Sequence, residues 1–465
     1  MIGWDEPDVS AKAIVAFETN LAESSWTNVE TRDPNTTYNP MTMAELADYV
    51  PGFDFRALLR SGGLASTDRV IATTNTAFPK VAKIFDAAPL DTLKAWQAFH
   101  LTNSAAPYLS KRFADARFDF YGKTLRGQPE SQPRWKRAVD FVNGSLGESV
   151  GRIYVAKYFP PESKAKMDAL VKEVIAAMRR RLDGFDWMSP ATKAKAQEKL
   201  SKMTAKIGYP VKWRDYGPLT MSADDLYGNG ERTAVYGWNY RVARLSQPID
   251  KQEWGMTPQT VNAYYDPSNN EIVFPAAFLQ PPFFDPTADM AVNYGGIGAV
   301  IGHEMTHGFD DQGRKYDGNG TLTDWWTAED VAQYKSQADR LAAQFDKFEP
   351  VKGYFVDGQL TMGENIADLG GVLVALDAYH AALQGKEPPV LDGLTGDQRF
   401  FLAHAQSWRT KTRDEATIRQ LKTDVHAPEQ FRVNGPLRNI EDWYAAFKIG
   451  PDDPMYIAPE NRVRM

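Results

Sequence analysis

The chain has 465 residues, 43% of them hydrophobic, 24% charged and 12% aromatic, with a formal net charge of -7 and no cysteine. That length predicts two lobes, the acidic balance argues against a nucleic-acid partner, and the lack of thiols excludes disulfides and thiolate metal ligands, so any zinc must be held by histidine and carboxylate. No run of 18 apolar residues occurs, and the opening MIGWDEPDVS has neither the basic nor the apolar region of an export signal, so the expectation is a chain that does not itself insert in a membrane.

In chain order, the first 250 residues read as mostly helical. Ser10 is placed to cap a helix through Ile14, Val15, Phe17 and Leu21. Ser163 is placed to cap another through Met167, Leu170, Val171, Val174, Ile175, Met178 and Leu182, closed by Gly184. Ser189 and Pro190 open a third. These spacings are core stripes without chemistry, and Arg179-Arg180-Arg181 is the solvated end of the second helix. Over about 209–255 the texture turns to Gly, Pro, Asp and Tyr, which predicts irregular connections. Residues 271–274 read as a strand after a turn at Asp266-Pro267-Ser268-Asn269, and helical patterns return over 295–308, 361–383, 397–411 and 440–447. The expected class is mainly α, with a small β element beside the motif described next.

Two of the six histidines fall four residues apart in IGHEMTHGFD. On a helix His303 and His307 share one face and can aim both imidazoles at a single point, with Glu304 beside it. Two nitrogen ligands and an adjacent carboxylate are what a hydrolytic zinc site needs: the histidines hold the ion and the carboxylate takes a proton from water. A second motif, GENIAD, follows, with Glu364 57 residues after His307 and Asp368 one turn further on the same face. Glu364 can supply a third ligand, while Asp368 and Asp310 are placed to accept the outer N–H of the two imidazoles. Three protein ligands leave a fourth position open, the arrangement of a catalytic zinc.

HEMTHGFDD, GENIADLGG, VNAYY, FPAAFLQPPFF and VHAPEQFRVNG together resemble the neprilysin-type (M13) zinc metallopeptidases, in their bacterial branch. The likeness extends to WKRAVDFVNGSLGESVGRIYV and GFDWMSPATKAKAQEKL, and so covers almost the whole chain. The resemblance implies one zinc ion on His303, His307 and Glu364, with Glu304 as general base and later proton donor. Asp310 and Asp368 would orient the histidines. Asn262, through its side chain, and Ala263, through its carbonyl, would bind the substrate main chain; His426 would stabilise the oxyanion and Arg432 would hold a substrate carbonyl. Phe278, Phe283, Val300 and Trp408 would line an apolar pocket that favours cleavage of oligopeptides on the amino side of large apolar residues.

By the same resemblance two helical lobes enclose a cavity, with a capping lobe and linkers over 1–254 and a thermolysin-like catalytic lobe over 255–465. His100, His380 and His404 match no ligand position and are expected to be structural. Relatives are longer at the N-terminus, where they carry an export signal or anchor, and commonly end in tryptophan rather than NRVRM. The expectation is therefore an N-terminal companion segment, removed or supplied by a second chain, and a periplasmic or extracellular setting. Two rivals stand beside this reading. An aminopeptidase needs an acidic anchor for the free amine, and no GxMEN-type segment precedes the histidines. A non-catalytic peptide- or partner-binding module would hold zinc without cleaving.

Overall fold

The computed structural model describes residues 2–465. The chain divides into two compact units, one formed by the residues up to Ala138 with Asp215–Ile249, the other by Val139–Arg214 with Asp250–Met465. A boundary at 254/255 thus does not match the packing, because residues 139–214 belong with the histidine-bearing segment. The reason is a strand pairing between residues far apart in sequence, described below.

The first unit is helical, with one antiparallel pair of short strands, β1 (Pro40–Thr42) and β2 (Arg69–Ile71), in which Met41 faces Val70. Its buried cluster is Met43 and Leu46, on the helix Met43–Tyr49 opened by a capping box between Thr42 and Glu45, and Val50 just past that helix's end. A second contact joins the helices Pro7–Ser24 and Leu90–Ala105, where Phe17 meets Trp96 edge-on at 5.8 Å and the Trp96 indole donates to Glu18. Ser10 lies inside the first of these helices rather than capping it. The helix starts at Pro7, whose fixed φ and missing N–H suit a first turn. Ser163 is displaced in the same way, within the helix Pro161–Gly184.

The segment expected to be irregular contains the 19-residue helix Leu226–Arg244, capped by Asp225, whose carboxylate accepts from Gly228 N–H at 2.9 Å. Its only buried residues are Gly228 and Asn229, so no apolar stripe marked it in the sequence.

In the second unit a three-stranded sheet has the order β3-β5-β4, from β3 (Thr204–Gly208), β4 (Tyr264–Asp266) and β5 (Glu271–Pro275). The central strand β5 is buried throughout, parallel to β3 and antiparallel to β4. Its Glu271 is neutralised in place by Lys206 of β3 at 2.8 Å. The turn into β5 is the predicted one: Asp266 accepts from Ser268 and Asn269 N–H, and Asn270 takes a φ of 50°. Met167, Leu170, Val171, Val174, Met178 and Leu182 form the predicted buried stripe of Pro161–Gly184, and the same core holds Ile301, Met305, Leu369 and Val372. Ser189 caps the helix Pro190–Lys202 and is tied by Asp330, which accepts from its N–H at 2.9 Å and its hydroxyl at 2.6 Å.

The helix Ala299–His307 carries the histidine pair, and Met362–Ala382 carries Glu364 and Asp368. Glycines let these two backbones touch. A Cβ on Gly302 would stand 2.6 Å from Gly371 O, and one on Gly371 would stand 2.5 Å from Ala299 O and 2.6 Å from His303 N. The seam therefore sets how far Glu364 lies from the imidazoles. Gly371→Ala should cost about 1–3 kcal/mol through the forced backbone shift, measured as a lower denaturant midpoint. Gly237→Ala, where a Cβ meets nothing within 4 Å, is the control expected to be neutral or stabilising. Equal midpoints for the two variants would contradict the close crossing.

Candidate active site

His303 and His307 point their Nε2 atoms at each other across 3.0 Å. The outer nitrogens face carboxylates: His303 Nδ1 lies 2.8 Å from Asp368 Oδ1, and His307 Nδ1 lies 2.7 Å from Asp310 Oδ2. Asp310 is itself fixed by the N–H groups of Gln312 at 2.9 Å and Gly313 at 2.6 Å. A proton between each outer nitrogen and its carboxylate leaves both inner nitrogens as lone-pair acceptors.

Glu364 Oε2 completes the set, 3.3 Å from His303 Nε2 and 3.7 Å from His307 Nε2. This oxygen is buried, and His426 Nε2 at 3.2 Å and Arg432 Nη2 at 3.6 Å are its neighbours beyond the two imidazoles. Two imidazole lone pairs and a carboxylate oxygen converging on one point suit a cation, which would offset their mutual repulsion. Their separations of 3.0, 3.3 and 3.7 Å bracket the roughly 3.3 Å between two ligands of a tetrahedral zinc with bonds of about 2.0–2.1 Å. The donor set thus fits zinc in number, chemistry and spacing. Glu304, 5% exposed, has its carboxylate within 4.8 Å of both histidine ligand atoms.

Electrostatics distinguish the carboxylates. Burial raises the pKa of Glu304, against the pull of His303 and His307. For Glu364 burial acts in the same direction but is outweighed by His307, His303 and His426, which hold its carboxyl well below the usual range. Asp368 is also held low, where burial is overcome by the Arg432 guanidinium and His303.

Donors occupy the other side. His426 Nε2 lies 3.2 Å from Glu364 Oε2, and its Nδ1 is bound at 2.7 Å to Asp424, which also accepts the His426 backbone N–H at 2.9 Å. Burial lowers the imidazole pKa, but Asp424 and Glu364 outweigh it and push it up to about 9. Arg432 makes a two-pronged contact with Asp368, through Nε at 2.9 Å and Nη2 at 2.8 Å, and its Nη2 lies 3.6 Å from Glu364. None of these contacts uses Nη1. A helix runs from Glu429 to Leu437 with Pro428 at its cap; His426 precedes it and Arg432 rides on it.

Other expected residues are placed unequally. Phe278 and Phe283 meet with ring centroids 4.3 Å apart, and Val300 is buried on the metal helix. Trp408 instead stacks on the Arg432 guanidinium, 4.0 Å from ring centre to Cζ. Ala263 is buried and Asn262 exposed just before β4, where the Asn262 side-chain Oδ1 accepts from Ala263 N–H at 3.0 Å. Of the remaining histidines, His100 pairs with Glu18 and His380 with Asp397, while His404 is buried with neither ring nitrogen bonded, its pKa pushed down by burial to about 4. Sequence reasoning missed Asp424 and the Asp368–Arg432 pair. An aspartate two residues before a histidine was a signal for the first; nothing in the sequence links residues 64 apart for the second.

The sequence profiles of Peptidase family M13 match residues 1–210 and 262–463. A neutral endopeptidase of Lactobacillus helveticus is 34% identical over 99% of this chain and 70% of its own length. Neprilysin-3 of Drosophila melanogaster is 33% identical over 98% of this chain, which spans 61% of that relative. Among solved structures, the zinc metalloprotease ZMP1 of Mycobacterium tuberculosis in complex with inhibitor superposes with a TM-score of 0.96 at 44% identity, covering 98% of this chain and 70% of that one. Among the described residues no helix is long and apolar enough to cross a membrane. With family profiles over both halves of the sequence and relatives sharing a third or more of its residues, the chain belongs to peptidase family M13 and is a zinc metalloendopeptidase of the neprilysin type.

Proposed function

We propose that this protein hydrolyses internal bonds of oligopeptides on the amino side of large apolar residues, with one zinc ion per chain. The observation that carries the reading is the convergence of His303 Nε2, His307 Nε2 and Glu364 Oε2, with the Glu304 carboxylate beside them. Zinc on those three atoms would lower the pKa of a water to about 7 and polarise the substrate carbonyl.

Glu304 accepts the proton as the water oxygen bonds to the carbonyl carbon, and gives it to the leaving nitrogen as the C–N bond breaks. As the water oxygen adds, and before the C–N bond breaks, negative charge develops on the carbonyl oxygen, where the protonated His426 is the donor; loss of such a donor typically costs about 2.7–4 kcal/mol of transition-state stabilisation. Asp424 holds His426 in register through Nδ1. Arg432, clamped by Asp368 and Trp408, keeps Nη1 for a substrate carbonyl beyond the scissile bond. Strand β4 is paired with β5 alone, so a substrate backbone can run along its other edge past Asn262 and Ala263. Phe278, Phe283 and Val300 supply the apolar wall for the side chain after the cleaved bond.

A mass-mapped digest of a mixed peptide pool, with and without a chelator, tests this. Cuts before Phe, Leu or Ile are expected, abolished by chelation and restored by added zinc. Zinc-loaded protein that leaves the pool intact would establish a binding module instead, and chelator-resistant cleavage would remove the metal from the reaction.

A further inference from the structure

The helix carrying His303 and His307 is entered through a π-helical turn, Tyr294–Gly298, with the sequence YGGIG. Wide turns of this kind cost helix stability and recur at functional sites. Three of its five residues are glycines, and they do different work. A Cβ on Gly295 would stand 2.1 Å from the Phe400 carbonyl oxygen, so that glycine seats the turn against the helix Gly396–Ser407. A Cβ on Gly296 would stand 2.4 Å from the carbonyl oxygen of Phe283 and 3.2 Å from its carbonyl carbon. A Cβ on Gly298 would meet only ordinary contacts at 3.5 Å.

The gap left at Gly296 is used by its neighbour. Ile297 N–H donates to Phe283 O at 2.8 Å, a hydrogen bond that leaves the helix to fasten the 280–284 turn. That turn is otherwise closed on itself, with Phe283 and Phe284 N–H both donating to Gln280 O, at 3.0 and 3.1 Å. The Phe283 ring then lies against Phe278 at 4.3 Å. Val300 follows Ile297 by three residues and His303 by six, all in one continuous helical run. One backbone bond therefore fixes an aromatic wall relative to both Val300 and the metal ligands.

We propose that Gly296 is a specificity-determining position: by admitting the Ile297–Phe283 latch, it sets the depth of the apolar pocket that receives the side chain after the scissile bond. This rests on the reading of Phe278, Phe283 and Val300 as that pocket's wall. Gly296 has no side chain to offer a substrate or metal, and acts by positioning Phe283.

The test compares zinc-loaded wild type, Gly296→Ala, Gly298→Ala and Phe283→Leu on two peptides that differ only in Phe or Ala after the cleaved bond. The wild type should prefer Phe. Gly296→Ala should reduce the Phe/Ala ratio of kcat/KM by roughly tenfold, the scale of a lost apolar contact, with zinc content and kcat on the Ala peptide unchanged. Gly298→Ala should keep the wild-type ratio. An unchanged ratio in Gly296→Ala, or an equal loss in Gly298→Ala, overturns the latch. A ratio unmoved by Phe283→Leu overturns the pocket reading itself, and a ratio moved by Phe283→Leu but not by Gly296→Ala overturns the latch alone. Should Gly296→Ala fail to fold, amide exchange at Ile297 in the wild type decides: a bound peptide analogue with Phe at that position should slow exchange more than its Ala counterpart, and equal slowing overturns the proposal.

Discussion

Glu304→Gln is expected to lower kcat/KM by about 10²–10⁴-fold, the contribution of a positioned general base, while zinc content stays at the wild-type level. Glutamine has the volume of glutamate and keeps its hydrogen-bonding oxygen, so the helix Ala299–His307 and its buried surroundings are not disturbed. What disappears is a carboxylate that burial makes more basic than usual, beside the point where His303 and His307 converge. The ligand atoms are on other residues, so metal binding is independent of the change. Elemental analysis and a quenched-peptide assay on the same preparation separate the two properties, and a zinc-loaded Glu304→Gln enzyme with undiminished turnover would assign the base elsewhere.

The chemistry of this site was legible because it is written in short-range code. An i,i+4 histidine pair and an i,i+4 Glu-Asp pair each report one helix face, and both faces are present as read. The predicted stripe of Pro161–Gly184 was legible for the same reason, since its apolar residues recur at helical spacing and are buried. Its start was misplaced because proline at a first turn competes with serine as a cap. Leu226–Arg244 escaped because a helix with almost nothing buried leaves no periodic trace. The unit boundary and the Asp368–Arg432 pair were beyond reach for another reason: each joins residues far apart in sequence, the first through β3 beside β5 and the second across 64 residues. Trp408 shows the intermediate case. Its membership of the active-site region was expected, yet its face is taken by the Arg432 guanidinium, a pairing that only the fold brings about.

That buried pair carries the other large effect. Asp368 and Arg432 are 3% and 7% exposed, joined by two bonds of 2.8 and 2.9 Å, and Asp368 also faces His303 Nδ1 at 2.8 Å. Removing either partner strands a charge in the interior, at a cost of about 3–5 kcal/mol. Asp368→Ala should therefore lower the denaturant midpoint strongly and, by freeing the His303 ring, weaken zinc binding about 10–100-fold. Arg432→Met should be comparably destabilising but should hold zinc more tightly than Asp368→Ala, because the His303 contact survives. The double variant separates the two roles of Asp368. With both charges gone, the stability loss should be well below the sum of the two single losses, whereas zinc affinity should stay as low as in Asp368→Ala. Chelator competition and denaturant unfolding on the four proteins measure both quantities, and additive stability losses, or zinc affinity restored in the double variant, would show that Asp368 does not link the arginine to the metal ligand.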